Sequence, residues 1–144
     1  MLEKALKLLV RVLRARVPRM TLLSNTSCTP QEKSLLAPHY RALVVESFGV
    51  GGLPGGEHGE MYARLQDWCT SGRLAVFTTQ VPHEGCDLAV YEVGRSVKEL
   101  PGVLEAKDMT PEAVAVKLMW ALGQTTDRAE AMRLFTTPVE WDIV

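Results

Sequence analysis

Arg41-Ala42-Leu43-Val44-Val45-Glu46-Ser47-Phe48-Gly49-Val50-Gly51-Gly52 is the stretch that decides the fold. Ala42 to Val45 are apolar without a break, so the segment has no polar face and is expected as a strand covered on both sides. The glycines behind it permit a sharp turn and close backbone approach at the strand's carboxyl end. Upstream, Met20–Ser24 has the same character and is expected as a short buried strand. Between them, Thr29-Pro30-Gln31-Glu32 forms a capping box, with threonine as N-cap, proline at the first helical position and glutamate three residues after the cap. The helix it starts should run to about Ala37, where Pro38 stops it.

Downstream, a helix is expected over Glu57–Ser71, with Met61, Leu65 and Trp68 on its inner stripe and Gly72 at the C′ position. Leu74–Thr79 is a third apolar, β-branched strand. Strand, helix, strand, helix, strand with short connections is the pattern of a parallel sheet with crossover helices. Thr110-Pro111-Glu112 repeats the cap logic. The helix after it turns Val114, Leu118, Ala121 and Leu122 inward and is expected to end at Gly123. A last helix, Asp127 to Phe135, faces Ala131, Leu134 and Phe135 inward. The fold class is α/β: a single three-layer, Rossmann-like domain over residues 20–144, with a short parallel sheet of about four strands flanked by helices.

The 144 residues suit one domain, and 47% hydrophobic content suffices for one core and excludes a disordered chain. Sixteen basic residues nearly balance seventeen acidic ones. The balance is uneven: residues 1–19 carry Lys4, Lys7, Arg11, Arg14, Arg16 and Arg19 against Glu3 alone, a net +5 that leaves the remainder at −6. In that arm Leu2, Leu6, Leu9 and Leu13 make the apolar stripe of an amphipathic helix ending before Pro18. Such a stripe suits packing against a neighbouring segment; a membrane surface or an organellar presequence are the other readings. No apolar run reaches the length of a transmembrane helix, and basic residues interrupt every candidate secretory core. Cys28, Cys69 and Cys86 are odd in number and widely spaced. They suggest neither a disulfide framework nor a zinc site, and a reducing cytoplasm suits them best.

The glycine loop follows a strand, where phosphate loops also sit. Pro54 stands where a dinucleotide fingerprint needs glycine, and no Gly-Lys-Ser/Thr closes the loop, so neither nucleotide motif is satisfied. A contact surface at the strand ends or a plain connector are the readings left open. His83-Glu84-Gly85-Cys86-Asp87 gathers four polar groups in five residues. Residues so close on a turn point in divergent directions, and no second ligand cluster exists, so a polar turn is preferred to a metal site or a Cys–His nucleophile. No nucleophile elbow and no HExxH occur. No metal and no cofactor are implied.

In order, Ala-Leu-Val-Val-Glu-Ser-Phe-Gly-Val-Gly (42–51), Ala-Val-Phe-Thr-Thr-Gln (75–80), Val-Tyr-Glu-Val-Gly-Arg (90–95), Asp-Met-Thr-Pro-Glu-Ala (108–113) and Lys-Leu-Met-Trp-Ala-Leu-Gly-Gln (117–124) resemble the C-terminal domain of bacterial L-asparaginases. The likeness is to the cytoplasmic, type I-like branch and spans roughly residues 18–138. It implies a domain of an amidohydrolase that converts L-asparagine to L-aspartate and ammonia. In that family the threonine nucleophile and the Thr-Asp pair lie in an N-terminal domain, and this chain has no Thr-Gly-Gly-Thr and no His-Gly-Thr-Asp-Thr. The C-terminal domain builds a homodimer or tetramer and lends residues to a neighbouring subunit's active site. Residues 1–19 would then be the connector between domains.

Carried over residue by residue, the resemblance makes Tyr91 a hydrogen-bond donor beside the neighbour's substrate. It puts the backbone N–H groups of Gly51 and Gly52 at the same site. Relatives often have asparagine where Gly52 stands. An allosteric segment of type I enzymes would fall at Gln80 and Val81, with valine in place of the family's cysteine. No residue of this chain is assigned a catalytic role. The partners implied are L-asparagine, the catalytic domain and other copies of the chain, with no nucleic acid and no membrane. Two alternatives remain: an asparaginase-like subunit acting on another amide (glutamine or an amidated transfer RNA), and a stand-alone α/β module binding a small ligand at its strand ends.

Overall fold

The computed structural model describes residues 20–24, 40–47, 49, 51–52, 60–79, 81 and 85–143. The expected helices over 2–13 and 29–37 lie outside the described residues. Within them the order is β1 (Met20–Ser24), β2 (Ala42–Ser47), α1 (Glu60–Thr70), β3 (Leu74–Thr79), α2 (Glu92–Lys98), β4 (Val103–Glu105), α3 (Pro111–Gln124) and α4 (Arg128–Thr136). The strands form one parallel sheet in the order β1-β2-β3-β4, with Met20 opposite Ala42, Ala42 opposite Leu74 and Ala75 opposite Val103.

This sequential order governs the layering. Right-handed crossovers that always step the same way deliver their helices to the same face. Accordingly α1 and α2 both cover the face carrying Leu43, Val45, Ala75 and Phe77, packing it with Leu65, Trp68, Cys69 and Val97. The opposite face, with Ala42, Val44, Leu74 and Val76, is covered by Val114, Leu118, Ala121 and Leu122 of α3 and by Ala131 and Phe135 of α4. The three layers and the inward residues expected for α3 are as the apolar pattern requires; on α4, Leu134 is half-buried against the core that Ala131 and Phe135 enter. Each fully buried Val, Leu or Phe contributes roughly 1.5–3 kcal/mol of apolar transfer, so both faces must be occupied.

The local signals act as expected at most helix ends. Gly72 takes φ 88° after α1. Thr110 Oγ1 accepts from Ala113 N at 3.3 Å, and Asp127 Oδ1 accepts from Glu130 N at 2.7 Å. The buried Trp68 indole donates to Leu74 O at 2.8 Å, so its one polar atom is satisfied. One end differs from expectation. α3 continues through Gly123 to Gln124, because the guanidinium of Arg41 donates to Leu122 O and Thr125 O, each at 2.7 Å. That long-range cap replaces the left-handed glycine cap.

Two elements carry no sequence signal of their own. α2 is only seven residues long and β4 three, too short for either periodicity to register. α2 is placed by tertiary contact: an added Cβ on Gly94 would run into Leu88 O and lie 3.2 Å from Gly51 O. Helix, glycine loop and the segment before α2 therefore meet backbone against backbone, which only glycine permits.

The chain beyond α4 is tied down by Lys117. Its ammonium is buried, donates to Thr137 O at 2.8 Å and pairs with Asp142 at 2.7 Å. It also lies 5.9 Å from the Phe135 ring centroid. Burial pushes the Asp142 carboxyl pKa up. The Lys117 ammonium and the Val139 N–H together outweigh that and hold it below the usual value.

A depressed carboxylate stabilises the fold above its unfolded pKa, and the contribution is lost as pH falls through the folded value. Asp142→Asn is expected to cost about 2 kcal/mol at neutral pH in urea unfolding, the worth of a hydrogen bond to a charged group. The gap from wild type should begin to narrow as pH falls below the ordinary Asp value of about 4 and should go on narrowing through the lower folded value; a gap independent of pH would contradict the ion pair. Gly94→Ala should cost about 2 kcal/mol or more by overpacking. Gly123→Ala, with nothing within 4 Å of the new Cβ, should be neutral or gain about 0.5 kcal/mol in the same assay.

Candidate functional site

The carboxyl ends of β2 and β3 meet the loop behind β2 and the segment 86–91. Ser47 Oγ donates to Thr78 O at 2.9 Å, and Thr79 Oγ1 donates to Gly49 O. Val81 N donates in turn to Thr79 Oγ1 at 3.0 Å. The end of β3 thereby grips the glycine loop with one hydroxyl and its own continuation with the same oxygen.

Tyr91 stands over this loop. An added Cβ on Gly49, which has φ 51°, would lie 3.3 Å from the phenol oxygen. At Gly51 it would lie 2.8 Å from Asp87 O and 3.1 Å from Leu88 Cα. Tyr91 is the N-cap residue of α2 and makes no side-chain cap hydrogen bond; 45% of it is exposed. The phenol thus lies against the loop at the strand ends on a half-exposed residue, where it can donate to or accept from a ligand.

The segment that carries Tyr91 is held from several sides. Cys86 N donates to Lys107 O at 2.7 Å, and Leu88 N to Glu105 Oε1 at 2.8 Å. Glu105 also pairs with Lys98 at 2.9 Å. Ala89 N donates to Asp87 Oδ1 at 2.8 Å, while Arg95 Nε donates to Ala89 O at 2.7 Å. Preorganisation of this kind fixes the position of a binding group before any ligand arrives.

Of the residues the sequence singled out, Tyr91 and Gly51 share this edge, and Gly52 follows as a half-buried residue of the same loop. Val81 connects to it through Thr79; Gln80 lies outside the described residues. Thr79, Gly49 and Gly94 complete the assembly; the sequence places them in the glycine loop or in the motifs of the resemblance, but their mutual contacts arise only when distant segments meet. The turn at 83–87 is described from Gly85 onward. Cys86 belongs to the core, where burial pushes its thiol up to about 11 despite a hydrogen bond with Ser47. Such a thiol is protonated at neutral pH and is no nucleophile. Among the described residues no cluster of His, Cys, Asp and Glu could hold a metal ion. Nor is any helix among them long and apolar enough to cross a membrane.

The assembled edge offers one phenol and loop backbone. Such groups can orient a polar ligand by hydrogen bonding.

Residues 16–135 match the family model of the Glutaminase/Asparaginase C-terminal domain. An L-asparaginase of Thermococcus kodakarensis is 36% identical over 115 residues, covering 80% of this chain and 34% of that protein. The solved structure of the thermostable L-asparaginase from the same organism superposes with a TM-score of 0.76 at 33% identity, over 89% of this chain and 38% of that one. L-asparaginase I of Vibrio cholerae, at 23% identity and a TM-score of 0.73, shares the fold over 88% of this chain and 38% of that one. A glutamyl-tRNA(Gln) amidotransferase component of Metallosphaera sedula is 36% identical over 103 residues, which are 72% of this chain and 22% of that protein. The chain thus spans about a third or less of the length of these curated relatives. With the fold and the sequence match in agreement, the chain belongs to the glutaminase/asparaginase C-terminal domain family.

Proposed function

We propose that this chain is the part of an L-asparaginase that assembles subunits and completes a neighbouring subunit's active site, the catalytic threonines being supplied by a preceding domain. The observation that carries this reading is the placement of the Tyr91 phenol over the glycine loop at the strand ends, in a chain of this family. Tyr91 donates a hydrogen bond to substrate held mainly by the neighbour, and the N–H groups of Gly51 and Gly52 line the same edge. With glycine at 52, no side chain reaches from that position, so orientation rests on the phenol and the backbone. Gln80 and Val81 form an effector-sensing segment, coupled to the glycine loop through Thr79. The connector is residues 1–19, and the working state is a homodimer or tetramer in the cytoplasm.

The chemistry explains the division. Amide hydrolysis requires an activated nucleophile and stabilisation of the oxyanion that develops. A phenol and a few backbone donors hold a substrate in register, which raises the rate only when the nucleophile is present.

A second reading is favoured by the match to the amidotransferase: the same architecture acting on a glutamine amide in a tRNA-dependent reaction. Residues 20–144 carry a net charge of −6, which opposes a surface that tracks phosphates.

The test is ammonia release by the purified, folded chain. Neither L-asparagine nor L-glutamine should be hydrolysed above background; turnover near about one per second, an ordinary enzyme rate, would overturn the division of labour.

A further inference from the structure

A polar concavity lies at the opposite, amino-terminal edge of the sheet. It is a cleft of about 370 Å³ whose walls include Tyr40, Arg41, Arg73, Leu122, Thr126 and Arg128. We propose that this cleft binds a small oxyanion, a molecule bearing carboxylate or phosphate, on the guanidinium groups of Arg41 and Arg128, with Arg73 beside them.

Topology brings the three arginines together. Arg41 and Arg73 each immediately precede a strand, and those strands pair Ala42 with Leu74, so the two residues lead neighbouring strands. Leu74 N donates to Arg41 O at 3.1 Å across that junction. Arg128 opens α4, and its guanidinium carbon lies 3.4 Å from where a Cβ on Gly102 would stand. All three are half-buried.

The contacts of Arg41 and Arg128 position them while leaving their charge in place. Arg41 donates to Leu122 O and Thr125 O, and Arg128 to Cys69 O at 3.3 Å. Carbonyls satisfy the forks' geometry but carry no formal charge. Capping alone does not account for the pair, because the ends of α1 and α3 each supply only roughly half a negative charge. Arg73 donates to Ser71 Oγ at 2.7 Å and stacks 3.9 Å from the Trp68 ring centroid, which aims its head group along the same edge. Among the described residues, no Asp or Glu lines the cleft.

The occupant follows from charge and size. Guanidinium forks match carboxylate and phosphate oxygens. The volume falls in the range of small-molecule sites, roughly 300–1,000 Å³. The chain's own basic arm is a poor occupant: residues 1–19 carry +5 and lead into Met20, which pairs with Ala42 at this same edge.

The Trp68 indole N–H, bonded to Leu74 O beside the Arg73 guanidinium, is a built-in reporter for NMR. The full chain is titrated with succinate and, separately, inorganic phosphate, at ionic strength held constant with sodium chloride. A saturable shift of the Trp68 indole resonance is expected with at least one of them; which one identifies the group recognised. Arg128→Gln should weaken binding about tenfold, one lost charge-assisted contact. Arg128→Lys, which keeps the charge but not the fork, should weaken it less. Arg133→Gln removes the same charge from an exposed position on α4 and should leave binding unchanged. If Arg128→Gln melts early, Arg73→Gln replaces it with the same expected loss. A linear, unsaturated response, or equal weakening in the Arg128 and Arg133 variants, would overturn the site.

Discussion

The molecule is organised by one topological constraint: four parallel strands laid down in sequential order. Crossovers of a single hand send α1 and α2 to the same face, so the other face is bare until the chain has finished the sheet. Covering it is the work of α3 and α4, which bury Leu118, Ala121, Leu122, Ala131 and Phe135 there. Arg41 caps the far end of α3 from the start of β2, and Lys117 ties α3 to the segment after α4. The last third of the chain is therefore as necessary to the sheet as the strands themselves.

Having every strand parallel also makes the two edges of the sheet chemically different. At the carboxyl edge, backbone meets backbone: Gly51, Leu88 and Gly94 approach so closely that side chains are excluded, and Tyr91 is set above the glycine loop. At the amino edge, the carboxyl ends of α1 and α3 present carbonyls, and arginines gather to meet them. One edge is suited to hydrogen-bonded orientation. The other is cationic and suited to charge.

The sequence revealed those parts of the fold that depend on short-range signals. Ala42 to Val45 and Leu74–Thr79 are too continuously apolar to be anything but buried strands, and β3 has the expected bounds. Thr110, Pro111 and Gly72 mark helix ends through local hydrogen bonding and backbone freedom. The parts it hid are long-range. α2 and β4 are stabilised by what they touch, and α3 outruns Gly123 because of an arginine 81 residues away. The site divides in the same way. Tyr91 and Gly51 are recognisable by resemblance, whereas the grip of Thr79 on Gly49 and the convergence of three arginines exist only once the strands are aligned.

The proposed role is that this domain positions substrate while another domain performs the chemistry. The most direct measurement is a chimera in which residues 20–143 replace the corresponding C-terminal third of the Thermococcus kodakarensis L-asparaginase. It is assayed for ammonia release from L-asparagine beside the remaining N-terminal portion alone. If this domain completes the active site, the chimera hydrolyses asparagine well above that portion. A chimera that melts cooperatively and oligomerises, yet is no more active than the portion alone, would contradict that role.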